Sequence, residues 1–275
     1  MIPDFTLILG VDAYHLRQLA LTLPTWRKHK PFLLFNRRIL VFYDASQARE
    51  EEIRSVIGGN PNLLTTVPWP MGGVLFDGDG KDKWSSPQRA KMLSGFVYVP
   101  GLFVRTPYWM KLDTDVVATG QDDWIDEKWF EDDPAIVSHP WTFTRPPDQM
   151  LDMDRWVEEN KERLPSSVVG NPPLNLVPKE GATRLGHRRI ISWCSFFDTQ
   201  WTWEVARMTA LGDGTYKLPV PSQDGYFWYM ATRMGKGIVR PQMKSRGWEH
   251  WSTMFNVEKR AREVMEVNCG GKTSS

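Results

Sequence analysis

The stretch Thr-Pro-Tyr-Trp-Met-Lys-Leu-Asp-Thr-Asp-Val-Val-Ala-Thr-Gly, residues 106–120, decides how this chain reads. Its core, YWMKL, is an apolar run of strand length, and two aspartates, Asp113 and Asp115, follow at once. A strand over 108–117 would alternate its side chains, placing both carboxylates on one side about 7 Å apart along the chain. A carboxylate following directly on a buried strand costs free energy unless something pairs with it. Two such groups at a strand end make an oxygen-rich site suited to Mg²⁺ or Mn²⁺. The competing reading is a pair of solvated loop aspartates. Two other D-x-D triplets lack this setting. Asp77-Gly-Asp79 lies in a Gly-rich loop and fails the EF-hand pattern, because Lys81 stands where a third oxygen ligand belongs. Asp152-Met-Asp154 falls in a helical pattern, where two-residue spacing sends the side chains to different faces.

Outward from that strand, strand and helix patterns alternate. FTLILGV (5–11), RRILVFYD (37–44) and NLLTTVPW read as strands. HLRQLALTLPTWRKH and AREEEIRSVIGG read as helices, with a kink or end expected at Pro24 and a stop at Gly58 and Gly59. Ser86-Pro87 marks a further helix start, with Ser as the cap. Strand–helix–strand order of this kind gives an α/β fold, a parallel sheet with right-handed crossovers that binds ligands at the carboxyl ends of its strands. The second half is less regular. AIVSH (135–139), RRIISWCSFFDT and GIVRP read as strands. Residues 148–164, WTWEVARMTAL, DGYFWYMATRMG and EKRAREVMEV read as helices. The expected organisation is one domain whose halves, 1–118 and 119–267, meet near 118–135, followed by a frayed tail at 268–275.

Composition narrows the function. Lys and Arg number 34 against 33 Asp and Glu, a formal net charge of +1, which argues against a nucleic-acid binder running on bulk charge. Two cysteines, Cys194 and Cys269, make neither a disulfide framework nor a cysteine-based zinc site. The start, MIPDFTLILGVD, has no basic n-region, and FVYVPGLFV is too short to span a bilayer. The chain is therefore expected to be cytoplasmic, with no transmembrane segment. No G-x-G-x-x-G follows a strand, no G-x-S-x-G occurs, and the terminal GGKT has Glu266 where a P-loop needs glycine. The 14 tryptophans are an excess; at that density they either fill a large core or build a surface for flat, ring-shaped ligands, and most are expected in the core with two or three beside a ligand.

An α/β first half ending in an apolar strand and D-x-D resembles the GT-A fold of nucleotide-sugar-dependent glycosyltransferases, a Rossmann-like, mostly parallel sheet flanked by helices. KLDTDVVATG is similar to their D-x-D strand, and SSPQRAKMLSGF to the helix they place beside the donor. The resemblance implies a nucleotide-diphospho-sugar donor (UDP- or GDP-sugar), a hydroxyl acceptor of glycan type, and Mn²⁺ or Mg²⁺. It implies that Asp113 contacts donor ribose or metal, that Asp115 ligates the ion, and that Asp12 meets the nucleoside base. Arg89 and Lys91 lie near a helix start, where the dipole disfavours cations unless an anion such as a diphosphate lies beside them; the alternative is a solvated basic face. Asp224, at the start of an aromatic helix, resembles the carboxylate that deprotonates the acceptor in inverting members, and inversion is preferred on that ground. It could instead merely stabilise its helix, and Asp198 competes with it unless it caps the helix that follows. His250 resembles the histidine completing the metal site, with His139 as the alternative and Lys244 and Arg246 available to a diphosphate. Two other classes stay open: an inert carbohydrate- or nucleotide-binding protein of this fold, and a D-x-D phosphatase or nucleotidyltransferase.

Overall fold

The computed structural model describes residues 1–70, 74–75, 87–120, 124–142, 148–174, 188–211, 213, 215–220 and 223–266. Asp77, Asp79, Ser86, Cys269 and the GGKT tail lie outside the described residues. The strands are β1 (Phe5–Val11), β2 (Arg38–Asp44), β3 (Leu64–Trp69), β4 (Val74–Leu75), β5 (Tyr108–Leu112), β6 (Val116–Ala118), β7 (Ile136–Thr142), β8 (Arg188–Asp198), β9 (Tyr216–Lys217), β10 (Ile238–Val239) and β11 (Trp248–His250). The helices are α1 (Ala13–His29), α2 (Pro31–Phe35), α3 (Glu50–Ile57), α4 (Pro87–Phe103), α5 (Asp148–Glu159), α6 (Ser166–Val169), α7 (Thr199–Arg207), α8 (Gln223–Arg233) and α9 (Met254–Glu266). No helix among the described residues is long and apolar enough to cross a membrane.

Seven strands form one sheet in the order β10-β7-β8-β5-β1-β2-β3, so strands from both halves of the chain share it. β1 runs parallel to β2 and β5, β2 to β3, and β10 to β7; β8 alone is antiparallel, against both β5 and β7. Pleat alternation explains the two cores. Leu7, Leu9 and Val41 face one apolar layer, while Ile8, Leu40 and Phe42 face the other. Near-continuous burial along β1 and β5 is the pattern of strands covered on both faces.

Two helices run on past an internal proline, and of the two outcomes expected at Pro24 the helix end does not occur. α1 continues past Pro24 to His29, and α4 past Pro100 to Phe103. In α1 the last turn is anchored from outside: Trp26 is fully buried and its indole N–H donates to Val116 O at 2.7 Å. In α4 the following residue, Gly101, lets the helix lie against α7, since a Cβ there would come within 2.1 Å of the Trp203 ring.

A carboxylate and histidine cluster at the carboxyl edge of the sheet

β5 ends at Leu112, earlier than the sequence pattern suggests, and the chain turns rather than continuing as a pleated strand. Asp113 N donates to Trp193 O at 2.8 Å, and Val116 N closes a turn onto Asp113 O at 3.3 Å. The turn is held from α1: Thr22 Oγ1 donates to Thr114 O, Thr114 Oγ1 to Gln18 Oε1, and Ala118 N to Thr25 Oγ1. β6 then leaves the main sheet and pairs with β11, placing His250 opposite Val116. One ligand atom each from Asp113, Asp115 and His250 lie within 4.8 Å of one another. It is this turn, not strand alternation, that brings the two carboxylates together.

Asp115 Oδ1 is buried without an aligned hydrogen bond, and its nearest ionic neighbour is His250 Nε2 at 3.4 Å. The imidazole stacks on Trp193 with ring centroids 5.8 Å apart. Burial alone would lower the His250 pKa, but the carboxylates of Asp115 and Asp113 outweigh it and the net direction is upward. For Asp113, burial opposes ionisation, yet the charges of Lys111 and His250 hold its carboxyl below the ordinary range. An under-satisfied carboxylate oxygen beside a second carboxylate and an imidazole fits a divalent cation: the donors are oxygen and nitrogen, and the uncompensated charge is negative.

A second group continues inward from this cluster. Lys111, on β5 two residues before Asp113, is buried and pairs with Asp113 Oδ1. Its ammonium also donates to Ser192 O at 3.0 Å. Ser192 Oγ in turn donates to Asp224, whose Oδ1 also accepts from Gln223 Nε2 at 2.5 Å. Asp224 of α8 thereby joins the D-x-D turn through β8. Sequence reasoning missed Lys111, Ser192 and Gln223; the placing of Lys111 by strand alternation beside Asp113 was the one signal available.

The other candidate residues take separate places. Asp12 caps α1, accepting from Tyr14 N and His15 N at 2.9 Å each and pairing with His15 Nδ1 at 2.7 Å. Lys91 pairs at 2.7 Å with Asp44, a buried carboxylate at the end of β2 that also takes Ser46 and Gln88. Burial opposes ionisation of Asp44, but Lys91, Ser46 and Gln88 hold its carboxyl well below the usual range. Arg89 is half-buried on α4. Arg246 turns to Asp126 at 3.6 Å and lies over the Trp129 ring, while Lys244 is exposed. His139 accepts from Met243 N at 3.3 Å, and burial and the charge of Lys244 lower its pKa. Asp198 caps α7 through Trp201 N at 2.5 Å. Among the described residues nine tryptophans are buried, Trp193 among them.

The sheet order, the single antiparallel strand within it and the site at its carboxyl edge define a GT-A glycosyltransferase fold. The chain is similar in structure to core-mannan synthase A from Aspergillus fumigatus in its Mn/GDP form, with a TM-score of 0.53 and 13% identity over 97% of this chain and 85% of that one. It is similar to the mannosyltransferase Ktr4p from S. cerevisiae in complex with GDP, with a TM-score of 0.53 and 11% identity over 90% and 71%. A third similar structure is the galactosyltransferase LgtC with donor and acceptor sugar analogs, with a TM-score of 0.50 and 10% identity over 96% of both chains. No protein-family model and no curated protein matches the chain. At these identities the likeness is one of fold.

Proposed function

We propose that this protein is a glycosyltransferase that moves a sugar from a nucleotide-diphospho-sugar to an acceptor hydroxyl, with a divalent ion, Mn²⁺ or Mg²⁺, at Asp113, Asp115 and His250. The observation that carries the reading is the convergence of those three ligand atoms within 4.8 Å at the carboxyl edge of a GT-A sheet. A divalent ion there would offset the charge that develops on the departing nucleoside diphosphate.

The chain's own residues supply the rest. Asp115 presents a buried oxygen that the fold leaves without an aligned donor. Ser192 and Gln223 donate to Asp224 and fix its carboxylate at the start of α8. In the reaction proposed, the acceptor oxygen attacks the anomeric carbon as the bond to the diphosphate breaks, and the acceptor proton passes to Asp224. Inversion at that carbon follows from this direct displacement. Residues 1–118 serve the donor, with Asp12 toward the base and Arg89 toward the diphosphate. Residues 119–267 serve the acceptor and return His250 to the donor side. Lys91 and Arg246 have carboxylate partners in Asp44 and Asp126, so a phosphate role for either requires it to leave that partner. Two of the similar structures hold GDP, which puts GDP-sugars beside UDP-sugars at the head of the donor panel.

The test is incubation with a panel of nucleotide-sugars and Mn²⁺, following released nucleoside diphosphate. Release by the wild type, and its loss in Asp115→Ala with the far-ultraviolet spectrum unchanged, is the expected result. Full turnover in Asp115→Ala would sink the assignment. Donor binding without release would point to an inert binding protein, and free phosphate from phosphomonoesters to a phosphatase.

A further inference from the structure

Lys111 has no part in the transfer reaction as written, yet it occupies the centre of the site. It is 3% exposed, on the strand that delivers the D-x-D turn. Its ammonium touches Asp113 Oδ1, donates to Ser192 O at 3.0 Å, and lies 4.8 Å from the centroid of the Phe96 ring. A buried ammonium is stable only while compensated, and the carboxylate in contact with it is Asp113. Asp113 is also one of the three residues that converge for a divalent ion. One carboxylate thus faces two cations, one of them built into the fold. A fixed positive charge sharing a ligand with a doubly charged ion repels it, and does so more strongly in a partly desolvated site than in water.

We propose that Lys111 is an internal counter-cation that keeps the Asp113–Asp115–His250 site weak for a free divalent ion, so that ion binding depends on an accompanying nucleoside diphosphate. The inference rests on the metal-dependent reading above and adds an order of assembly to it. Without the diphosphate, Lys111 already neutralises one of the two carboxylates, and the charge left to attract an ion is small. The diphosphate brings negative charge of its own and offsets the repulsion from the ammonium. Lys111 is a positioning residue in this scheme, since it acts through Asp113 and touches neither sugar nor acceptor.

The experiment measures Mn²⁺ binding to the full chain by electron paramagnetic resonance of free Mn²⁺, with and without excess GDP or UDP. Wild type is expected to bind Mn²⁺ alone roughly tenfold or more weakly than with its nucleoside diphosphate. Lys111→Gln is expected to tighten binding of Mn²⁺ alone by roughly tenfold and to shrink the dependence on nucleotide. Lys111→Arg, which keeps the charge, should retain the weak wild-type value. Unchanged or weaker binding in Lys111→Gln overturns the inference while leaving the glycosyltransferase reading intact. Should Lys111→Gln fail to fold, the wild-type comparison decides: equal Mn²⁺ affinity with and without nucleotide overturns it. Wild-type Mn²⁺ binding in Asp115→Ala would remove the metal site itself, and this inference with it.

Discussion

Gly247→Ala is the substitution that most directly couples this fold to its site. Gly247 lies one residue before β11 with φ of +76°, and an added Cβ would come within 2.0 Å of Gly120 O. That oxygen has little freedom to retreat, because the buried Lys30 ammonium donates to it, and Thr119 N donates to Gly247 O at 2.9 Å. The left-handed backbone costs a non-glycine residue about 1 kcal/mol, and forcing atoms into a packed contact typically about 1–3 more. The expected destabilisation is therefore about 2–4 kcal/mol. Gly235 is the internal control: its φ is +64°, and a Cβ there meets nothing within 4 Å, so Gly235→Ala should cost only about 1 kcal/mol. Urea unfolding of both variants measures the difference. Mn²⁺ binding should also weaken in Gly247→Ala alone, because β11 carries His250 into register opposite Val116. If the two variants are equally stable, the close approach of residues 120 and 247 has no energetic weight and the reasoning fails.

Two further predictions follow from buried charge. Asp154 accepts from Tyr229 Oη at 2.5 Å and Arg233 Nη1 at 3.2 Å, and Arg233 is 5% exposed. Asp154→Ala would leave that guanidinium buried without its carboxylate and should cost about 3–5 kcal/mol in thermal or urea unfolding, whereas Asp152→Ala, beside the exposed Arg155, should be near neutral. For Asp12, burial opposes ionisation, but the His15 hydrogen bond and charge and two backbone N–H groups bring its pKa from 3.8 down to about 2. A depressed folded-state pKa gives stability that is complete above about pH 4 and lost as pH falls toward 2, here about 2 kcal/mol. The stability gap between wild type and Asp12→Asn should hold at about pH 4–5 and close as pH falls from 4 toward 2. A gap independent of pH across that window refutes the assignment.

Much of the frame was legible in the residues. β1, β2, β3 and β8 lie where apolar runs bounded by polar or turn residues put them, because burial on both faces leaves a continuous signal. Asp198 caps its helix as one of its two readings required. The second-half carboxylate and histidine were legible as residue types but not as neighbours. Asp224 reaches the site through Ser192 and Lys111, contacts between positions 32 and 81 residues apart, and no local pattern encodes such separations. β11 is three residues long, too short for periodicity to announce, and it carries His250.

The amino-acid sequence by itself determined the alternation of strands and helices, and with it an α/β sheet that ends one central strand in two aspartates. Those are local properties, set by side-chain period and by what a strand can bury. Tertiary structure decided what the aspartates do. The early end of β5, the anchoring of residues 114–118 by α1, and the return of β11 set Asp113, Asp115 and His250 within ligand distance of one another. It also gave Lys91 and Arg246 the carboxylate partners Asp44 and Asp126, and gave Lys111 its place beside Asp113. Charge pairing depends on distance in space, which the order of residues along a chain does not contain.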